Sequence, residues 1–133
     1  MQSVIWQFQA AIDARDAQLL APLLDPDVRL LGSVQHAAFE GRDTVLFIFG
    51  MLIALFQDAR YVAEIPGAEA VVLLMHGTIS GQEADGLQVV SFGDDGKITH
   101  FLDFVRPLPA LGALQEAATA YLANIGSRYR ADP

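Results

Sequence analysis

The sequence predicts an α+β fold, in which a cone-shaped, curved, antiparallel or mixed sheet wraps around N-terminal helices and encloses an apolar pocket. Three observations lead there. Apolar residues recur at helical spacing as far as Phe56. Short β-branched and aromatic runs, divided by turn residues, follow from about residue 60 to residue 106. Hydrophobic residues make up 53% of the 133 residues against 18% charged, more than an average domain of one core carries. Helices followed by a strand meander is an order in which helices cover one face of a bent sheet. The apolar surplus then belongs in the wall of a cavity and in a subunit interface.

Val4, Ile5, Phe8, Ala11 and Ile12 define a first helix, with Gln7, Gln9, Asp13 and Arg15 on its wet side. Asp16 starts a second short helical piece, whose Leu19, Leu20, Leu23 and Leu24 keep the period until Asp25-Pro26. A short strand is expected over Val28 to Leu31. After an irregular stretch containing His36, Gly41-Arg42-Asp43 opens a helix from Val45 to Phe56, apolar around most of its circumference and therefore buried. Four strands are expected over about 60 to 65, 69 to 80, 86 to 93 and 97 to 106, separated by Pro66-Gly67, the Gly81 to Gly86 loop and the Gly93-Asp94-Asp95-Gly96 turn. Pro107 and Pro109 end the last strand. Leu111, Leu114, Ala118, Tyr121 and Leu122 mark a closing helix over about 110 to 125, with a polar tail over 126 to 133. No linker or repeat divides the chain, so a single domain over 1 to 133 is expected.

Composition narrows the function classes. A formal charge of −8 opposes phosphate backbones and anionic lipid headgroups, so no nucleic-acid or membrane partner is expected. The absence of cysteine removes thiol nucleophiles, disulfides and most structural zinc sites. Val45 to Phe56 is far too short to span a bilayer, and Met1-Gln2-Ser3 leads into an amphipathic pattern rather than an export signal; a cytoplasmic location is expected. No metal site is expected, because no close-set histidine pair or histidine-carboxylate cluster is present and two adjacent carboxylates in the 93 to 96 hairpin cannot surround calcium. Nor is a cofactor expected, since no glycine loop of phosphate-binding kind occurs.

Asp16, then Leu24-Asp25-Pro26-Asp27-Val28, then Gly41-Arg42-Asp43 opening a helix and Gly96-Lys97-Ile98 opening the last strand, resemble the nuclear transport factor two-like superfamily, and its SnoaL-like members in particular. The resemblance runs from about Val4 to Pro109. It implies a cone that binds a small apolar molecule, in a group that includes ketosteroid isomerases, polyketide cyclases and epoxide hydrolases beside members without known activity, so fold alone does not choose a reaction. Anchored at Gly41-Arg42-Asp43 and Gly96-Lys97-Ile98, the positions that would hold the ketosteroid isomerase tyrosine and two aspartates become Phe8, Gly32 and Gln88. Isomerisation needs a carboxylate base and acidic donors to the enolate oxygen. Phe8 and Gly32 supply neither, and Gln88 retains only one hydrogen-bond donation toward an oxyanion.

Alternation along the last strand puts Phe101, Asp103 and Val105 on one face and His100, Leu102, Phe104 and Arg106 on the other. The resemblance turns the first set into the cone and places Asp103 where SnoaL-like cyclases carry an acid/base aspartate, although the two residues before it are Phe101 and Leu102 rather than that family's histidine and tryptophan. Two readings stand side by side. Asp103 is a desolvated proton carrier, or it pairs with Arg106, Arg60 or a backbone donor and fixes the sheet. His76 and His100 are expected on the outer face, whereas His36 stays open. The expected pocket lining is Phe8, Ile12, His36, Ile48, Met75, Gln88, Val90 and Phe101, with Asp103 as the catalytic residue. The protein is then a small acid/base lyase or isomerase acting on an apolar cyclic molecule, or a non-catalytic module that binds one. Apolar Val72, Leu74, Leu102 and Phe104 on the outer sheet face predict a homodimer through that surface.

Overall fold

A computed structural model describes residues 2–129, with side chains placed through residue 123. Helix α1 spans Gln2–Asp13 and buries Ile5, Phe8 and Ala11, the stripe that the i, i+3, i+6 spacing sets. A 3-10 helix, Ala17–Leu23, follows; the Asp16 carboxylate caps it by accepting the Gln18 N–H at 3.0 Å, which satisfies one orphan donor. Strand β1 covers Leu24–Leu31, longer than its apolar residues suggested, because a register shift between Leu24 and Arg29 accommodates Pro26, which has no N–H to give to the ladder. The short strand β2, Phe39–Glu40, returns to Gly41, whose φ of 93° lets the chain turn sharply into α2, Arg42–Leu55.

After α2 the chain enters the sheet at once. Strand β3 runs from Phe56 to Pro66, although the sequence pattern placed Phe56 in the helix and the strand start near 60. Two bulges explain the mismatch: register shifts lie between Gln57 and Arg60 and between Tyr61 and Ala63, and Asp58 sits at φ 52°, so no clean alternation marks the strand. Gly77 on the neighbouring strand is part of that arrangement. A Cβ there would stand 2.9 Å from the Gln57 carbonyl oxygen and 3.2 Å from the Ala59 Cα, so only glycine lets the bulged segment cross so closely. Strands β4 (Ala70–Ile79), β5 (Gln82–Phe92) and β6 (Ile98–Arg106) complete the meander. The Gly93 to Gly96 segment is a tight turn closed by Gly96 N–H to Gly93 O and Gly93 N–H to Lys97 O.

The six strands form one open, mixed sheet in the order β2-β1-β6-β5-β4-β3, with β1 parallel to β6 and the other pairs antiparallel. The closing helix α3, Leu108–Tyr129, lies across this sheet and beside α2. It extends past the expected end at 125; residues 130–133 of the expected polar tail lie outside the described residues. No helix among the described residues is long and apolar enough to cross a membrane.

Two apolar clusters hold these layers. The larger joins α1, the 3-10 helix, β1 and α2 to Val71, Leu73, Val90, Ile98 and Phe101 of the sheet. The smaller gathers Phe56, Ile79 and Ala84 under Ala110 and Leu114 of α3. Leu52 and Leu55 of α2 touch both, and the space between the clusters is not filled.

Candidate functional site

That space is a cavity of about 470 Å³. Its end nearest α1 is closed by packed rings: Phe8 lies 5.5 Å from Phe101 and 5.7 Å from Phe49, and Phe49 lies 4.8 Å from Phe101, centroid to centroid. Helix α2 contributes Ile48, Phe49 and Leu52 to the wall, and the sheet contributes Tyr61, Met75, Gln88 and Asp103. Leu114, Ala118 and Leu122 of α3, one turn apart on one helix face, form the opposite wall. Asp13, Arg15, Asp58 and the 32–35 segment, all half-buried or exposed, border the opening.

Among the residues expected from sequence, Ile12, Ile48, Met75, Gln88 and Asp103 border this cavity together. Four others do not. Phe8, Val90 and Phe101 are wholly buried in the larger cluster, below the cavity rather than in its wall, because their rings and branches fill the narrow end of the cone. His36 is exposed; its neighbours Gly32 to Gln35 edge the cavity while His36 itself stays outside. Gly32, aligned with a ketosteroid isomerase aspartate, borders open space, and a Cβ there would make only an ordinary 3.6 Å contact.

Asp103 is the centre of the polar chemistry. It is drawn to β5 by register, since Asp103 and Gln88 are cross-strand partners, and its backbone carbonyl accepts the Ser33 hydroxyl at 2.8 Å. The residue keeps some accessible surface on the cavity side, but its Oδ1 is closed to solvent and has no hydrogen-bond partner. Burial pushes its pKa from 3.8 up to about 7, against a smaller lowering by a hydrogen bond from the Gln88 side chain. Arg106 does not offset that burial: its guanidinium reaches Asp85 on the outer face, Nη1 to Oδ2 at 2.6 Å. Among the described residues neither Arg106 nor Arg60 forms an ion pair with Asp103.

Gln88 is the buried polar side chain of this site, 6% exposed. Its Oε1 accepts the Tyr61 hydroxyl at 3.0 Å. With the carbonyl end so engaged, the amide end is what faces Asp103. Burial first, then the negative charges of Asp103 and Asp13, push the Tyr61 phenol far above its ordinary pKa, so it stays a neutral donor. Gln88 thus reads as an orienting group on Asp103 rather than a free oxyanion donor. Tyr61 and the α3 wall were not expected from sequence. Tyr61 pairs across the sheet with Met75, an inner-face residue, but the bulges that flank it hide that register in the sequence.

On the outer face, His76 Nδ1 lies 2.9 Å from Asp85 Oδ1, and His100 is exposed. Among the described residues no three histidine or carboxylate side chains converge to hold a metal ion.

Known structures with this architecture are numerous. A steroid delta-isomerase from Pseudomonas aeruginosa superposes with a TM-score of 0.91 at 28% identity, over 95% of this chain and 93% of that one. The match with a protein of cystatin-like fold from Silicibacter pomeroyi is also 0.91, at 24% identity over 98% and 92%. The chain has the nuclear transport factor two-like fold. A hypothetical protein with a ketosteroid isomerase-like fold from Catenulispora acidiphila, solved in complex with trimethylamine, matches more distantly, with a TM-score of 0.64 at 15% identity over 80% and 87% of the two chains. No protein-family model matches the sequence, and no curated protein matches it. Together these likenesses describe the fold.

Proposed function

We propose that the protein binds an apolar, cyclic small molecule in the cavity and moves a proton on it, with Asp103 as the acid/base, in the manner of a cofactor-independent isomerase, cyclase or lyase. One observation carries this reading: a half-buried carboxyl side chain in the wall of an apolar cavity, without an ion-pair partner among the described residues. A pKa near 7 keeps comparable amounts of acid and base at neutral pH, the condition under which one group both takes and returns a proton efficiently. Gln88 steadies the charged form with its amide, Tyr61 fixes the direction of that amide, and Phe49, Met75 and Leu52 exclude water. The resemblance to SnoaL-like cyclases at Asp103 supports the same role, and likeness to a steroid delta-isomerase supports the reaction type.

A flat probe whose ring opens after a single proton abstraction, 5-nitrobenzisoxazole, tests this without knowledge of the natural substrate. Asp103 takes the C3 proton, the N–O bond breaks, and the coloured nitrile phenolate leaves. Turnover should follow the ionised fraction of Asp103, rising through pH 7, and Asp103→Asn should abolish that rise. Equal turnover by both proteins would leave a non-catalytic binding module, the reading favoured by Phe8 and Gly32 where isomerases hold their catalytic groups.

We further propose that two copies pair through the outer sheet face. Phe104 and Ile65 are each 54% exposed there, beside half-buried Val72, Leu74 and Leu102, an apolar surface that a mate would cover. Sedimentation at micromolar concentration should give a dimer; a monomer, or a dimer unaffected by Phe104→Lys, would contradict this pairing.

A further inference from the structure

The charges around the cavity are unequal. Asp103 lies within, Asp13 and Asp58 border the opening, and Arg15 is the cation among the lining residues. Arg15 is already engaged: Nη2 donates to the Ile53 carbonyl at 2.6 Å and Nη1 to the Phe56 carbonyl at 3.4 Å, so its guanidinium ties α2 to β3. Among the described residues no lysine or histidine joins the lining, and the whole chain carries −8. An anionic ligand would meet three carboxylates and one committed guanidinium. A neutral apolar one would leave the Asp103 carboxyl in the cavity wall without a counter-charge. A ligand with a protonated nitrogen corrects both. Aromatic Phe49, Phe56 and Tyr61 in the same wall add faces that attract a cation.

We propose that the ligand of this cavity is an apolar ring system bearing one basic nitrogen, held by an ion pair between that nitrogen and the Asp103 carboxylate. The inference rests on the reading of the cavity as a small-molecule site and names the chemistry of the molecule. An uncharged amine that enters takes the Asp103 proton: the O–H bond breaks, an N–H bond forms, and carboxylate and ammonium remain in contact. The Gln88 amide, held by Tyr61, then stabilises the carboxylate. Asp13 and Asp58 draw the cation to the opening from solution.

Three probes with one ring system isolate the nitrogen: 2-(aminomethyl)naphthalene, 2-naphthalenemethanol and 2-naphthoate, titrated calorimetrically into the full chain at pH 8. The amine should bind at least about ten-fold more tightly than the alcohol, a difference typical of one desolvated ion pair, and the carboxylate most weakly. In Asp103→Asn the amine should lose that advantage while the alcohol binds as before. Equal affinity of amine and alcohol for the unaltered protein overturns the inference and needs no variant to fold. So does an amine preference that survives Asp103→Asn but vanishes in the Asp13→Asn, Asp58→Asn double variant, because attraction at the rim would then account for it. Failure of the amine preference with proton abstraction from 5-nitrobenzisoxazole intact would sink the ligand class and leave the acid/base reading standing.

Discussion

Asp85 and Asp103 sit on adjacent strands of one sheet and have opposite chemistry. Asp85 faces outward in a row with His76 and Arg106, hydrogen-bonded to both across the strands, and these partners hold its carboxyl below the usual carboxylate range. Asp103 faces inward, three residues from Arg106 along β6, and burial pushes its carboxyl up to about 7. Alternation separates them: odd positions of β6 point to the cavity and even positions to the outer face, so the cation that would have quenched Asp103 is spent on Asp85. A sheet with one wet and one enclosed face can keep a carboxylate charged on one side and poised to exchange a proton on the other, with the same residue type and nearly the same backbone.

The largest effect should come from the inner carboxylate. Asp103→Asn should lower turnover of 5-nitrobenzisoxazole by roughly 10² to 10⁴, the usual worth of one acid/base group, while Asp85→Asn leaves it unchanged. Comparable losses in both variants would mean that the two faces do not differ in function.

Next in size is the cavity itself. Met75 lines the cavity volume and packs over Gly86. Met75→Trp should fill that volume and reduce affinity for 2-(aminomethyl)naphthalene by ten-fold or more in calorimetry, with the far-ultraviolet circular dichroism unchanged. Unchanged affinity in the folded variant would place the ligand elsewhere.

The stability effects of the two aspartates should also have opposite signs with pH. Folded Asp103 holds its proton up to about pH 7, whereas the unfolded chain releases it near the ordinary 3.8, so the native state binds more protons between those values. Stability must then fall as pH rises through that window, by about 4 kcal/mol at the upper limit for a shift of this size. Asp103→Asn removes the penalty, so its melting temperature should exceed that of the unaltered protein at pH 8 and match it near pH 4. For Asp85, whose pKa is lowered in the fold, the contribution is present above the unfolded value and lost as pH falls below it. Asp85→Asn should therefore lower the melting temperature slightly at pH 7 and by less as pH falls below 3.8; because the pair is exposed, this should be the smallest change of all. Thermal melts of both variants across that range check the two signs together.

How much of this was legible in sequence follows from where periodicity survives. Helix α1, the helix opened at Gly41-Arg42-Asp43 and the regular strand β6 carry clean periods, so the α+β order and the opposite faces of Asp103 and Arg106 could be read from residues alone, while the resemblance supplied the inward direction of Asp103. Periodicity says which face a residue is on and not how deep it lies. Phe8, Val90 and Phe101 were expected in the cavity wall on the correct face, yet they fill the core beneath it, since depth along the cone depends on how three rings pack together. Tyr61 was illegible for a different reason: register shifts lie between Gln57 and Arg60 and between Tyr61 and Ala63, so alternation carried in from either end of the strand is lost before it reaches Tyr61. His36 lies in an irregular stretch, where no period applies, and the structure leaves it in solvent. The α3 wall was half legible, because Leu114, Ala118 and Leu122 show an apolar face whose destination only the folded chain supplies.

The most direct test of the contrast between the two faces is a carboxyl titration by carbon-13 NMR, with the Asp103 resonance assigned by its disappearance in Asp103→Asn. A midpoint near 7 for Asp103, in the protein without ligand, is the expected result, beside a depressed midpoint for Asp85 in the same spectra. A midpoint for Asp103 at or below the ordinary value of 3.8 would contradict it, because a carboxylate that ionises so readily has found a partner or water and is not the poised proton carrier of an apolar cavity.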